Sequence, residues 1–396
     1  MSTATIKNVD RRAMSTLSAG HLFTDVNQGA VAALLPFLIS DRGLSLAAAG
    51  ALLTAATLSS SIVQPLFGIF SDNRPLPVLM PLGLLMAGAG IALVGIAPSY
   101  PLVLLSVVLS GVGVAAFHPE AARFANYVSG SRRARGMSFF SVGGNAGFAL
   151  GPILTTPLVL WFGLPGTLFL AIPAALMAAG MFIEMPRMMG FKPESTANGL
   201  REPAAEPEHW RPFALMVAVV TVRSFVYFGL VAFVAVYYSK VLGASTAFGN
   251  TALAVMLAAG AAGTLTMGPL ADRFGRKVVL GASMLILPVL IFGFTLAGPV
   301  LGMVLLALIG AATIGTFGVT VVMGQEYLPG RIGLAAGITM GFSIGLGGIG
   351  APALGFLADQ SGLPATMLVI AGLPVIGLLL TLTLPKTLPD TTRSEV

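Results

Sequence analysis

The chain has 396 residues, of which 56% are hydrophobic and only 9% are charged. A soluble globular domain carries roughly 25% charged residues, so this composition excludes a protein with a mostly polar surface and predicts one solvated by lipid. The net charge of +6 is expected from basic cytoplasmic loops and does not indicate nucleic acid, and the absence of cysteine excludes disulfides and thiolate sites.

Twelve apolar runs, each close to the 20 or so residues that a membrane helix needs, follow a polar N-terminal segment. No cleavage site follows a short apolar core in that segment, so we expect the first run to be retained as a membrane helix. The predicted helices are 17–39, 47–70, 78–97, 101–127, 136–161, 167–185, 212–239, 248–270, 277–297, 300–326, 332–357 and 364–384.

A polar segment divides these helices into two sets of six. It contains four glutamates together with Pro203 and Pro207, a composition typical of a linker. The predicted organisation is therefore an N-terminal six-helix bundle at 1–185, a cytoplasmic linker at 186–211 and a C-terminal six-helix bundle at 212–396.

The distribution of positive charge predicts the orientation. Seventeen of the 21 Lys and Arg residues lie on the side that holds both termini and the linker, whereas only Arg42 and Lys240 lie on the other. The positive-inside rule therefore places both termini in the cytoplasm. The two remaining cations, Arg123 and Arg223, lie inside apolar runs.

Helices 1 and 4 carry an unusual set of ionisable residues. Such groups cost roughly 2.5–3.5 kcal/mol each at the centre of a membrane helix, so a functional role is the default hypothesis. His21 and Asp25 lie four residues apart and share one face of helix 1, while helix 4 carries His118, Glu120 and Arg123. Counting from the cytoplasmic ends places both groups at similar depth, which predicts one polar cluster.

The candidate proton-coupling residues are Asp25, Glu120, His118 and His21. A partly desolvated carboxylate or an imidazole can exchange a proton near neutral pH. Two alternatives remain open at this point: His21 can be an interfacial residue, and Glu120 with Arg123 can form a purely structural ion pair.

The candidate substrate-binding residues are Arg123, Arg223, Tyr227, Asn145 and Gln28. Arg223 lies near the middle of helix 7 with Tyr227 one turn further on, and it can bind an anion or pair with a carboxylate. Asn145 can equally be a polar contact between helices.

Landmarks of the first half recur in the second half at an offset of 200, which indicates two copies of one unit. The matching pairs are Gly29 and Gly229, Gly68 and Gly268, Asp72 and Asp272, and Pro152 and Pro352. The fifth helix of each half is rich in glycine, which permits close helix packing, and its proline permits bending. The predicted packing hinges are Gly147, Gly151, Pro152 and Pro352.

The basic turn between helices 8 and 9 resembles the cytoplasmic loop signature of the major facilitator superfamily. The matching residues are Gly268, Leu270, Ala271, Asp272, Arg273, Gly275, Arg276 and Lys277. The first-half copy is degenerate: it keeps Gly68, Asp72 and Arg74, but Asn73 replaces the first Arg. An aspartate here can accept hydrogen bonds from a helix N-terminus across the bundle. We predict that both loops act as a conformational latch.

A narrower resemblance lies in residues 20–25, 117–123 and 142–147, which are similar to the fosmidomycin resistance protein group of proton-coupled drug efflux carriers. This resemblance implies a drug/proton antiporter of the bacterial inner membrane that exports small amphipathic or anionic compounds by alternating access. A proton-coupled symporter or uniporter that imports a metabolite is the alternative.

The sequence therefore predicts an all-α membrane protein with twelve transmembrane helices in two pseudo-symmetric six-helix bundles. Its expected partners are a small-molecule substrate, protons and membrane lipid, and a monomer is expected. We see no nucleotide-binding loop, metal cluster or nucleophile–base set in the sequence, so we predict neither an enzyme nor a cofactor.

Overall fold

The structure, a computed structural model, describes residues 9–64, 67, 76–129, 133–190, 208–331, 334–335, 338–339 and 343–385. The helices of the first half are α1 Arg11–Arg42, α2 Leu46–Ser61, α3 Leu79–Val94, α4 Tyr100–Val128, α5 Arg133–Phe162 and α6 Ala171–Met188. Those of the second half are α7 Trp210–Lys240, α8 Thr246–Phe274, α9 Arg276–Leu296, α10 Pro299–Gly315, α11 Phe317–Tyr327 and α12 Ser343–Thr383.

These helices give the twelve predicted membrane spans. Within the described residues, nine helical segments are long and apolar enough to cross a membrane, and α2 and α3 are shorter apolar helices. Helices α10 and α11 form one span that is interrupted at Thr316. Gly362 breaks α12 into two spans, because its φ of 82° lies outside the helical region.

The two halves repeat their turns as well as their helices. Gly43 ends α1 with a φ of 65°, and Gly243 follows α7 with a φ of 64°, a left-handed conformation that glycine adopts at little cost. In each turn a serine then caps the next helix: Ser45 accepts from Ala48 N, and Ser245 accepts from Phe248 N. The repetition of this turn geometry at an offset of 200 residues confirms the pseudo-symmetric fold.

The helices extend beyond the predicted apolar runs. Helix α1 starts six residues before Leu17, because Asp10 caps it by accepting from Ala13 N at 2.9 Å. Helix α6 continues to Met188 and α7 begins at Trp210, so both helix ends fall inside the predicted linker. The centre of that linker lies outside the described residues.

Glycine allows the helices to approach closely at the predicted hinge. A Cβ on Gly147 would lie 2.1 Å from Leu22 O, and one on Gly151 would lie 2.5 Å from the backbone of Gly29. Helix α5 therefore packs backbone to backbone on α1. In the second half α12 packs on α7, where a Cβ on Gly347 would meet Ser224 at 2.2 Å.

We call the end of the bundle that carries the Gly43 and Gly243 turns the distal face, and the opposite end the proximal face. Helix α2 contacts α12, and α5 contacts α8, which joins the two halves. In the described part of the chain, the hydrogen bonds between the halves lie from the distal face to about the middle of α2. Their donors are Leu46, Ala47, Thr54 and Asn250.

Candidate functional site

Three ionisable side chains converge inside the first half. His21 Nε2 and His118 Nε2 lie 3.1 Å apart, and each lies 3.3 Å from one carboxylate oxygen of Asp25. His21 and Asp25 are each 8% exposed, which argues against the interfacial alternative for His21. We call His21, Asp25 and His118 the His–Asp–His cluster.

The backbone fixes how both imidazole rings of the cluster are protonated. His21 Nδ1 lies 2.8 Å from Phe140 O, and His118 Nδ1 lies 2.8 Å from Val114 O. A carbonyl oxygen can only accept, so each Nδ1 carries a hydrogen and donates it. The two Nε2 atoms therefore face one another and the carboxylate, and they are the positions left to bind a further proton or another cation.

Helix α5 closes one side of the cluster. A Cβ on Gly144 would lie 2.3 Å from His21 Nε2 and 2.7 Å from Asp25 Oδ2, so any other residue there would displace the side chains of the cluster. Phe140, one turn earlier, stacks on the His21 ring with centroids 4.1 Å apart. The ring orientation is therefore set by packing as well as by hydrogen bonds.

The cluster reaches a cavity between the two halves. This cavity has a volume of about 100 Å³. Asp25, Gly144, Asn145 and Phe148 line it from the first half, and Tyr227, Leu257, Ala261 and Ile314 line it from the second. Two predicted substrate-binding residues, Asn145 and Tyr227, thus lie beside the predicted proton-coupling residue Asp25.

Arg223 occupies a buried position in the second half of the chain, on the same helix as the cavity-lining residue Tyr227. It is 4% exposed and lies one turn before Tyr227 on α7. Its Nη1 donates to Thr316 Oγ1 at 3.1 Å and to Thr320 Oγ1 at 3.4 Å, and its guanidinium lies 5.7 Å from the centroid of the Phe317 ring. No carboxylate of the described chain lies within ion-pair distance of it, so this charge is held by neutral groups alone.

Glu120 lies apart from the cluster, although it is only two residues from His118. It is fully buried, and its Oε1 accepts from Leu76 N at 2.8 Å. Arg123 Nη1 lies 3.5 Å from the same oxygen, which fits the structural ion pair that the sequence left open. Glu120 therefore holds the segment before α3 against α4.

Within the part of the chain that the structure describes, the contacts of the second-half loop lie in its own half. Arg276 lies 2.6 Å from Glu326 and 3.9 Å from Asp272, and the Arg273 guanidinium lies 5.2 Å from the centroid of the Phe274 ring. Lys277 donates to Leu382 O at 2.8 Å. The remaining predicted latch residues of this loop are Gly268 and Gly275, of which Gly275 ends α8 with a φ of 92°.

The first-half latch prediction, Gly68, Asp72 and Arg74, lies outside the described residues. Gln28 is half-buried on α1. Three residues that the sequence did not single out lie at important contacts: Thr316 and Thr320 bind Arg223, and Asp359 accepts from Leu46 N and Ala47 N across the two halves, each at 2.9 Å.

Two six-helix halves that meet around a cavity, with a buried cluster of ionisable groups at its edge, define a multi-pass membrane transporter. The Major Facilitator Superfamily model matches residues 17–262 and 216–395. The chain therefore belongs to the major facilitator superfamily.

Three comparisons show what the chain is similar to. It is 34% identical over 366 residues to the uncharacterized MFS-type transporter YfnC of Bacillus subtilis (strain 168), covering 91% of this chain and 89% of that protein. It is 32% identical over 375 residues to the fosmidomycin resistance protein of Escherichia coli (strain K12), covering 92% and 91%.

The third comparison is with a solved structure. A bacterial homolog of the human lysosomal transporter Spinster, in an inward-facing and occupied conformation, superposes with a TM-score of 0.78 at 17% identity and covers 95% of this chain and 97% of that chain. At this level of identity the match supports the fold alone.

Proposed function

We propose that the chain is a proton-coupled antiporter of the bacterial inner membrane that exports small amphipathic or anionic compounds, such as fosmidomycin, by alternating access. The relation to the fosmidomycin resistance protein of Escherichia coli supports export of this class of compound. The observation that carries proton coupling is the buried His–Asp–His cluster beside the cavity between the halves.

The geometry of the cluster favours a bound proton. Both Nδ1 atoms donate to backbone carbonyls, so in the neutral rings both Nε2 lone pairs would face each other at 3.1 Å. A proton on either Nε2 turns that repulsion into a hydrogen bond and adds an attraction to Asp25. Loss of the proton leaves a buried carboxylate beside two lone pairs, an arrangement that favours a different packing of α1 and α4.

The charge distribution and the contacts between the halves together support a state that is closed to the outside. If the distal face is external, as the Lys and Arg count predicts, the hydrogen bonds that Leu46 N and Ala47 N of α2 donate to Asp359 close the external side in this structure. Carriers of this architecture bind substrate near the midplane and expose it alternately to each side. Substrate would leave outward as protons enter the cluster and travel inward.

Accumulation driven by an imposed pH difference tests this proposal, with purified protein in liposomes and radiolabelled fosmidomycin as the probe. We expect fosmidomycin to accumulate in the more acidic compartment, because an antiporter moves substrate against the proton flow, and an uncoupler to abolish the effect. This criterion does not depend on how the protein is oriented. Accumulation in the more alkaline compartment would establish the alternative, a symporter, and equal distribution would establish a uniporter.

Arg223 is expected to bind the anionic group of the substrate. Its partners Thr316 and Thr320 are uncharged, and removing one charge of a buried pair typically costs 2 kcal/mol or more, so Arg223→Gln should raise KM for fosmidomycin by roughly 30-fold or more. Initial rates against substrate concentration measure this. Arg211→Gln, at an exposed position, is the matched control. An unchanged KM in Arg223→Gln would remove Arg223 from the binding site.

A further inference from the structure

The His–Asp–His cluster has the ligand set and the spacing of a metal site. Its three ligand atoms lie within 4.8 Å of one another. The two Nε2 atoms are 3.1 Å apart, and each lies 3.3 Å from a different oxygen of Asp25, His21 from Oδ2 and His118 from Oδ1. Two ligand atoms that each lie about 2.0–2.1 Å from one Zn²⁺ at a tetrahedral angle are about 3.3 Å apart. The side chains therefore need little movement to bind one ion together.

The surroundings of the two imidazoles match those of metal-ligating histidines. Such histidines usually donate their other ring N–H to a carbonyl or carboxylate, which fixes the tautomer and the ring plane. His21 and His118 both do so, to Phe140 O and Val114 O at 2.8 Å. Each Nε2 is consequently the ring nitrogen that is left to bind a metal ion, and each lies 3.3 Å from an oxygen of Asp25.

We propose that His21, Asp25 and His118 bind one divalent transition-metal ion, with Zn²⁺ as the best fit. Two imidazoles and one carboxylate suit zinc, cobalt and nickel better than magnesium or calcium, which prefer oxygen ligands alone. Asp25 lines the cavity between the halves, so a fourth ligand can be a water molecule that enters from there.

A bound metal ion would inhibit the transporter, and this consequence rests on the proposed function. The ion occupies the same two Nε2 lone pairs that accept the proton, so metal and proton exclude each other. A divalent ion also ties α1 to α4, through two bonds to α1 and one to α4, which opposes any repacking of these helices. Zn²⁺ is therefore expected to slow pH-driven transport, and a lower pH is expected to relieve this inhibition.

Binding of Co²⁺ to the purified full-length protein, prepared without a histidine tag, tests the site directly. The chain has only three histidines and no cysteine, so few side chains other than the cluster could produce the visible absorption of bound Co²⁺. We expect one Co²⁺ per chain, displaced by Zn²⁺. Affinity should fall at least about tenfold in His118→Gln, because even the loss of an outer hydrogen-bond partner costs that much. His209→Gln, which removes the one histidine outside the cluster, should bind as the wild type does.

A second measurement uses only the wild-type protein, so its result does not depend on whether a variant folds. X-ray absorption at the zinc edge of the wild-type protein should show two imidazole ligands at about 2.0 Å. Absence of Co²⁺ and Zn²⁺ binding to the wild type, or unchanged affinity in a folded His118→Gln protein, would overturn the metal site. Neither result touches proton coupling, which the accumulation assay decides on its own, so the two proposals can fail separately.

Discussion

Replacing Asp25 with Asn is expected to abolish pH-driven accumulation of substrate while the protein remains folded. Asparagine has nearly the same size and can still contact His21 and His118, which lie 3.3 Å from the carboxylate oxygens. It carries no charge, however, and cannot attract the proton that the two Nε2 atoms share. We expect the pH-driven rate to fall at least about tenfold, equivalent to about 1.4 kcal/mol, and the accumulation ratio to approach one.

Exchange of labelled for unlabelled substrate at equal pH separates coupling from folding. Asp25→Asn should retain this exchange, because exchange needs substrate binding and the movement of the halves but no net proton transfer. Asp41→Asn is the matched control, since Asp41 lies on the same helix at an exposed position where it accepts from Ser40. If Asp25→Asn accumulates substrate as the wild type does, the cluster is not the proton site and the proposed coupling is wrong.

The His–Asp–His cluster shows which side-chain contacts the spacing of residues in a sequence can and cannot predict. The spacing of His21 and Asp25 predicts a shared face of α1, and counting from the helix ends predicts that His118 lies at the same depth. Depth does not give the direction of a side chain around its helix. His118 and Glu120 are two residues apart and thus point about 200° apart, which is why Glu120 meets Leu76 and not Asp25.

The partners of Arg223 illustrate a second limit. Composition and position predict that this charge is buried, but nothing in the sequence connects it with residues about a hundred positions later. Thr316 lies where the span is interrupted, between α10 and α11, and Thr320 lies one turn later on α11. The twelve spans, by contrast, could be predicted almost completely, because the thickness of a bilayer dictates the length of each apolar run.

The contact between the two halves could not be predicted either, because a glycine-rich helix does not indicate which neighbour it approaches. The structure shows that α2 and α12 meet backbone to backbone. A Cβ on Gly50 would lie 2.5 Å from Ala351 O and 2.9 Å from Pro352 N. Pro352, a predicted hinge residue, is thus also part of the distal contact.

Gly50→Val is therefore expected to hold the distal face open and to stop transport. The new side chain would overlap backbone atoms, which cannot rotate away, so the closed state should lose about 1–3 kcal/mol or more, a shift of roughly 5- to 150-fold in the conformational equilibrium. Because the chain has no native cysteine, a single Thr57→Cys, 7% exposed and packed against Gly348, reports opening through its rate of maleimide labelling in the purified protein. Labelling should accelerate when Gly50→Val is added.

Two further variants show whether closure itself is responsible. Gly372 also lies on a membrane helix, but a Cβ there meets nothing within 4 Å. The Gly372→Val protein should therefore be labelled by maleimide, and should transport substrate, at the same rates as the parent protein. Asp359→Asn removes one of the two oxygens that accept from Leu46 and Ala47. It should open the same face more weakly, because the closed state is expected to be destabilised by only about 0.3–2 kcal/mol. If Gly50→Val transports normally and leaves Thr57→Cys protected, α2 and α12 do not need to meet during the cycle. The expected opening of the distal face therefore increases from Gly372→Val to Asp359→Asn to Gly50→Val. This order follows from contact geometry alone, so it holds whichever way the substrate moves.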